Sequence, residues 1–415
     1  MSDPFEDRAY DPESWAQADS GVLEGAIPAA STDAEPRAAT PLESAPVPSA
    51  AQPGSSQPPL DGAIQFPSWS QPEVKRPARI PNLGHVLLLV PLLGLGFVVA
   101  MILFFVGAHF HFFGVLTFEQ AGIEIHYILG SEAAIYLVTF GLARLVFPLF
   151  WHESLFAGLQ WNGEIARRLL WRLFGLAIFC FFLALLNGYL LPSPTNTPIE
   201  KAFKTPGAAW LLFGFGVTFA PFFEEMLFRG FLLPSLCTLA DWTDESLFGR
   251  PHLGIDRRVR VVLSVLAMCV SCDAAIGTPA AVVFAIYRQW WALLICITLA
   301  VLGMFWLLLL LAVRPARADQ FVRPVAGNGH PQWSLAAMIV GSMYTSVPFA
   351  AMHAEQTGYS IWPLFLLVGV SLVLCWVRLA TRSLAASTLV HTGYNFMLFT
   401  WMLIGTGGFK HLDKM

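Results

Sequence analysis

Three ionisable side chains, Glu224, Glu225 and Arg229, lie inside the apolar segment APFFEEMLFRGF, residues 220–231. Membrane helices rarely retain such groups without using them, because a charge at bilayer depth costs about 3 kcal/mol or more. Residues four apart share a helix face, so Glu225 and Arg229 are predicted to pair. Glu224 has no cation three or four residues later and is predicted to be a free carboxylate. Taken alone, both glutamates are also compatible with purely structural hydrogen bonds between helices.

Two later apolar segments carry polar residues at the same one-turn spacing. SVPFAAMHAE places Phe349 four residues before His353, and LVHTGYNFM places His391 four residues before Asn395. A single histidine in a membrane helix is more often a packing residue than a catalyst. Three helices with polar groups at this spacing are harder to explain by packing. If they converge, they supply a general base and hydrogen-bond donors for a developing oxyanion.

The elements that must position these residues are membrane helices. The 415 residues are 56% hydrophobic and 13% charged, whereas soluble domains are roughly 45–50% apolar and 25% charged. This composition predicts an all-α, polytopic transmembrane bundle with the lipid bilayer as a partner, and no nucleic-acid-binding surface is visible. Nine spans are predicted, at 84–108, 130–151, 168–192, 207–236, 261–286, 289–313, 334–353, 360–378 and 383–405.

The charges between the spans predict how the chain is oriented. Every second connection is basic, which favours nine spans with a cytoplasmic N-terminus. The span at 261–286 is the least regular because Asp273, Gly277 and Pro279 interrupt it, but omitting it would spoil this alternation. Residues 1–80, rich in proline, alanine, serine and acidic groups, are predicted to form a disordered cytoplasmic tail.

The three motifs resemble, in order and type, the EExxxR, FxxxH and HxxxN signatures of the CPBP family of CAAX prenyl endopeptidases and their bacterial relatives. The matching core covers roughly 205–236 and 334–400. The predicted organisation is therefore a tail at 1–80, N-terminal membrane helices at 83–204 and a catalytic core at 205–405. In a departure from a compact member of that family, an insertion near 258–333 adds two spans, a number that preserves the orientation of the later helices.

The resemblance implies an intramembrane endopeptidase that acts on a membrane-associated peptide or protein. Glu224 would activate water with help from His353, while His391 and Asn395 would stabilise the oxyanion. Glu225, Arg229 and Phe349 would support the site. The resemblance to bacterial relatives also implies a multi-pass protein of a bacterial inner membrane.

A catalytic metal is an open question at the level of the sequence. Glu224, His353 and His391 are a candidate three-ligand zinc set that leaves one position for water. The metalloprotease label of the family fits this set. No HExxH pair is present, however, and a metal-free glutamate mechanism needs the same residues, so the metal-free reading is slightly favoured.

The alternative to a protease is a non-proteolytic membrane protein, either a transporter or a scaffold or immunity factor. A transporter is expected to show inverted repeats with broken helices in corresponding halves, and the sequence shows none. A scaffold would more readily have lost a motif residue, whereas all seven signature residues are present. These observations favour the protease.

Overall fold

Chain segments rich in apolar residues form long helices in the computed structural model, which describes residues 81–192, 203, 207–248, 257–286, 301 and 333–409. Within these ranges the secondary structure is helical, without strands. The predicted tail at 1–80 and the predicted span at 289–313 lie outside the described residues, apart from position 301.

Eleven helices are numbered here in chain order. They are α1 (Leu83–His109), α2 (Phe118–Ile123), α3 (Ile125–Trp151), α4 (Leu155–Gly158), α5 (Gly163–Arg168), α6 (Leu170–Leu190), α7 (Ala208–Phe248), α8 (Arg257–Ile286), α9 (Leu335–Met352), α10 (Ile361–Thr381) and α11 (Leu384–Gly405).

The prediction of a polytopic helical bundle is confirmed. In the described part of the chain, seven helices are long and apolar enough to cross a membrane: α1, α3, α6, α7, α8, α9 and α10. Helix α11 corresponds to the predicted span at 383–405 but is not among the seven. Its 22 residues include hydroxyl, imidazole and amide side chains, which lower its hydropathy.

Helix α7 is longer than the predicted span at 207–236 and continues to Phe248. The extension contains acidic residues, and one of them, Asp241, is fully buried. Its Oδ1 accepts a hydrogen bond of 2.6 Å from the hydroxyl of Ser334, the residue that caps the start of α9. A buried carboxylate needs such donors, so this contact explains how a polar helical end is retained inside the bundle.

Helix α7 lies at the centre of the packing. An aromatic cluster joins it to α3 on one side, through Phe140 and Phe147 of α3 and Phe223 and Phe231 of α7. The far end of α7 packs against α8 and α9, and α11 packs against α6 and α10. The segment predicted to do chemistry is therefore held from several directions.

Two stretches of α7 are wound as π-helix, Phe215–Phe219 and Met226–Leu232. They flank the α-helical segment Ala220–Glu225, which carries both glutamates. Such π-helical turns are rare and often occur at functional sites. The one-turn spacing of the sequence does not predict them.

The start of α11 is fixed by the connection between α3 and α6. The backbone N–H of Leu384 donates to the carbonyl of Gln160 at 3.0 Å, and the Ser383 hydroxyl donates to the carbonyl of Asn162 at 2.7 Å. The Ser383 side chain also caps α11 by accepting from the N–H of Ala386. These bonds set the position of α11, and with it that of His391, relative to α7.

Candidate active site

Glu224 occupies the middle of α7, where helices α9 and α11 each bring a histidine towards it. Its side chain is 8% exposed, and its Oε2 lies 4.0 Å from Nε2 of His353 and 3.8 Å from Nε2 of His391. These separations are too long for direct hydrogen bonds. Two imidazoles therefore face the same carboxylate oxygen without forming a hydrogen bond to it.

The adjacent Glu225 is fully buried and pairs with Arg229, as the i, i+4 spacing predicts. The Nη1 of Arg229 lies 2.8 Å from Oε1 of Glu225, and neither side chain is exposed. The Nη2 of Arg229 donates to both the hydroxyl and the carbonyl of Ser371 in α10, at 2.7 and 3.2 Å. Further hydrogen bonds help to offset the cost of burying an ion pair, and Ser371 accepts two of them from Nη2.

Phe349 of α9 covers the guanidinium of this pair. The centre of its ring lies 4.4 Å from the Arg229 Cζ, within the range of a cation–π contact. The same ring lies 5.0 Å from that of His353 and 5.7 Å from that of His391. Phe349 thus connects the buried ion pair to both histidines.

His353 stands at the C-terminal end of α9. Its Nδ1 lies 2.8 Å from the carbonyl oxygen of Phe349. Since a carbonyl only accepts, Nδ1 carries the proton and donates, which leaves the Nε2 lone pair facing Glu224 in the neutral ring. The side chain is 17% exposed, more than Glu224 or His391, so the site is most accessible beside His353.

His391 of α11 is linked to the acid that was predicted to have only a supporting role. Its Nδ1 lies 3.1 Å from Oε1 of Glu225, the oxygen that also accepts from Arg229. Glu225 therefore orients a histidine in addition to pairing with the arginine. Residue spacing does not reveal this link, because it joins two helices 166 residues apart in sequence.

Asn395 follows His391 by one helical turn and is half-buried. Its Nδ2 donates to the carbonyl oxygen of Gly216 at 2.8 Å. Gly216 lies in the first π-helical stretch of α7, and its position is crowded, because an added Cβ would lie 2.9 Å from the ring of Phe399. One N–H of the amide thus anchors α11 to α7, and the second N–H is left to serve as a donor.

The structure brings six of the seven predicted site residues into one cluster of contacts, whereas Asn395 contacts the carbonyl of Gly216 in α7. Sequence reasoning missed Ser371 and the carbonyl of Gly216, which hold Arg229 and Asn395 in place. Neither belongs to a recognisable motif. A single amino-acid sequence also does not indicate that Gly216 is crowded.

The candidate zinc set agrees with zinc chemistry in donor type but not in spacing. Zinc with bonds of about 2.0–2.1 Å places tetrahedral ligand atoms about 3.4 Å apart, whereas Glu224 lies 3.8 and 4.0 Å from the two imidazole nitrogens. No three histidine, cysteine or acidic side chains in the described ranges are arranged to hold a metal ion. The residues as placed are therefore too far apart to be the ligands of one zinc ion.

Comparison with protein families identifies one similarity. Residues 320–397 match the family model described as Type II CAAX prenyl endopeptidase Rce1-like. The matched segment contains the second and third motifs, with His353, His391 and Asn395, but does not extend to Glu224. The resemblance predicted from the motifs is confirmed, and it supports an endopeptidase of the CAAX type at the level of the family. No curated protein and no solved structure matches the chain.

Proposed function

We propose that this chain, which resembles CAAX-type endopeptidases over residues 320–397, is an intramembrane endopeptidase in which Glu224 activates water. One observation carries the proposal. The imidazoles of His353 and His391 face the same oxygen of an otherwise unbonded, nearly buried carboxylate. A purely structural carboxylate in a membrane helix would be expected to accept direct hydrogen bonds.

The geometry fits a water molecule between Glu224 and His353. Water bonded at about 2.8 Å to each of two atoms spans the 4.0 Å between Oε2 and Nε2. The Glu224 carboxylate takes one proton from the water while the oxygen attacks the peptide carbonyl carbon. Glu224 then returns the proton to the leaving nitrogen as the C–N bond breaks. His353, whose Nε2 carries a lone pair, accepts the second water hydrogen and orients the nucleophile.

His391 and Asn395 suit the oxyanion that forms on the carbonyl oxygen. His391 donates through Nδ1 to Glu225, so donation from Nε2 as well requires the imidazolium form. Glu225 and Glu224 lie on either side of that ring, and together with Arg229 the site then holds two positive and two negative charges. The second N–H of the Asn395 amide supplies another donor. Preorganised donors of this kind are usually the largest contribution to catalysis in acyl transfer.

The function is tested by comparing the membrane proteomes of cells that express the wild-type chain or Glu224→Gln. A protease generates new peptide termini in membrane-associated proteins, and these termini depend on Glu224. Glu355→Gln is the matched control, because Glu355 is an exposed carboxylate two residues after His353. If the wild-type, Glu224→Gln and Glu355→Gln proteomes carry the same termini, the proposal is wrong.

Removal of metal ions from the purified protein is expected to leave its activity unchanged. The reason is that the described residues supply the base and the oxyanion donors themselves. The measurement is peptide cleavage before and after treatment with a chelator, together with elemental analysis of the active sample. Loss of activity that is restored by added zinc would contradict the metal-free mechanism and favour Glu224, His353 and His391 as ligands.

A further inference from the structure

A third carboxylate, Glu132 of α3, lies on the side of α7 that faces α3 and has no part in the mechanism above. Its Oε1 accepts a hydrogen bond of 3.0 Å from the hydroxyl of Tyr136, one helical turn later. The ring of Tyr136 stacks on that of Phe223 at 5.1 Å, with an angle of 16° between the planes. Phe223 directly precedes Glu224, so this stack packs Tyr136 of α3 against the segment of α7 that carries the working carboxylate.

Glu132 is half-buried and has no cationic partner among the residues that the structure describes. The buried guanidinium of Arg229 is already engaged by Glu225 and Ser371. Glu132 and Glu224 are also close enough for their charges to interact. A carboxylate offers about four acceptor positions, and the Tyr136 hydroxyl fills one of them. Hydrogen bonds from the protein therefore offset only part of the free-energy cost of placing this carboxylate in a membrane helix.

Glu132 lies on a different helix from His353, and the two helices pack against different neighbours. Helix α3 packs along α1, while α9, whose C-terminal cap is His353, packs against α7, α8 and α10. A peptide whose scissile carbonyl lies over Glu224 therefore has His353 on the α9 side and Glu132 on the α3 side. If a substrate side chain next to the scissile bond points towards α3, Glu132 is the carboxylate on that side.

We propose that Glu132 is a specificity-determining residue that binds a lysine or arginine side chain of the substrate next to the scissile bond. The inference rests on the proposed peptidase function and deepens it. A basic side chain supplies the positive charge that the described protein residues do not supply to Glu132. Tyr136 acts as a positioning residue. Its hydroxyl orients the Glu132 carboxylate, and its ring packs against Phe223 of α7.

The test uses a membrane-spanning peptide that the wild-type protein cleaves, made in versions that differ only by lysine, norleucine or glutamate beside the scissile bond. Because a charge-assisted hydrogen bond is formed, wild type is expected to prefer lysine over norleucine by about 10- to 100-fold in kcat/KM. In Glu132→Gln this ratio falls to near one, and in Glu132→Lys the glutamate peptide becomes preferred over the lysine peptide. Tyr136→Phe retains the stacked ring and is expected to reduce the ratio by a smaller factor. Glu119→Gln, at an exposed carboxylate of α2, is expected to keep the wild-type ratio.

Three results would overturn the inference. The first is equal cleavage of the lysine and norleucine peptides by wild type, which leaves the peptidase function intact. The second is an unchanged lysine preference in Glu132→Gln. The third is a Glu132→Gln protein inactive on every peptide while Tyr136→Phe keeps the full preference, which would give Glu132 a role in folding or in the reaction itself. A wild-type protein that cleaves no peptide would instead refute the proposed function, and the inference with it.

Discussion

Replacing Arg229 by methionine is expected to lower the free energy of unfolding by about 3–5 kcal/mol. Methionine fills a similar volume but leaves the fully buried Glu225 carboxylate without its cation, and Ser371 without the guanidinium that bonds it. The contact with the Phe349 ring is lost as well. The measurement is equilibrium unfolding of the purified protein in mixed detergent micelles.

Two further variants separate the ion pair from a general effect of losing arginine. The double variant Glu225→Gln/Arg229→Met removes both charges and is expected to recover most of the lost stability, since replacing a whole buried pair is often neutral. Arg168→Met removes an exposed arginine paired with Glu164 and is expected to cost at most about 1 kcal/mol. An Arg229→Met protein as stable as Arg168→Met would show that the buried pair does not stabilise the bundle.

Replacing Glu224 by glutamine is expected to lower kcat/KM by about 10²- to 10⁴-fold, the usual contribution of a general base. Folding should be unaffected, because Glu224 makes no direct hydrogen bond to the histidines in the described structure. The measurement combines the rate of peptide cleavage with the unfolding assay on the same samples. Glu224→Gln with wild-type stability and low activity would match the account, whereas a variant that loses both in parallel would make Glu224 a structural residue.

Much of the candidate site could be predicted from the sequence because its pairs lie within single helices. The i, i+4 geometry of a helix fixes the contact between Glu225 and Arg229 whatever the rest of the fold does. The same rule places Phe349 beside His353 on one helix face. The length and hydropathy of the spans likewise depend on local composition, so the helical bundle was predictable as well.

The contacts that cross between helices were not predictable. The bond from His391 to Glu225 depends on how α11 is rotated against α7, and one sequence contains no signal for that rotation. The bond from Asn395 to Gly216 depends on a π-helical stretch whose residues have no distinctive pattern. From the sequence, Glu225 was therefore assigned a supporting role and His391 a catalytic role. In the structure, one hydrogen bond joins the two side chains.

The claim that this chain hydrolyses peptide bonds with Glu224 as the base is tested most directly by turnover in water enriched in ¹⁸O. The substrate is a peptide derived from a protein whose new terminus depends on Glu224 in cells. The account predicts that wild-type protein yields two products, with one solvent oxygen in the new carboxyl terminus, and that Glu224→Gln yields them at least about 100-fold more slowly. Labelled products formed by Glu224→Gln at the wild-type rate, or no products from the wild-type protein, would contradict it.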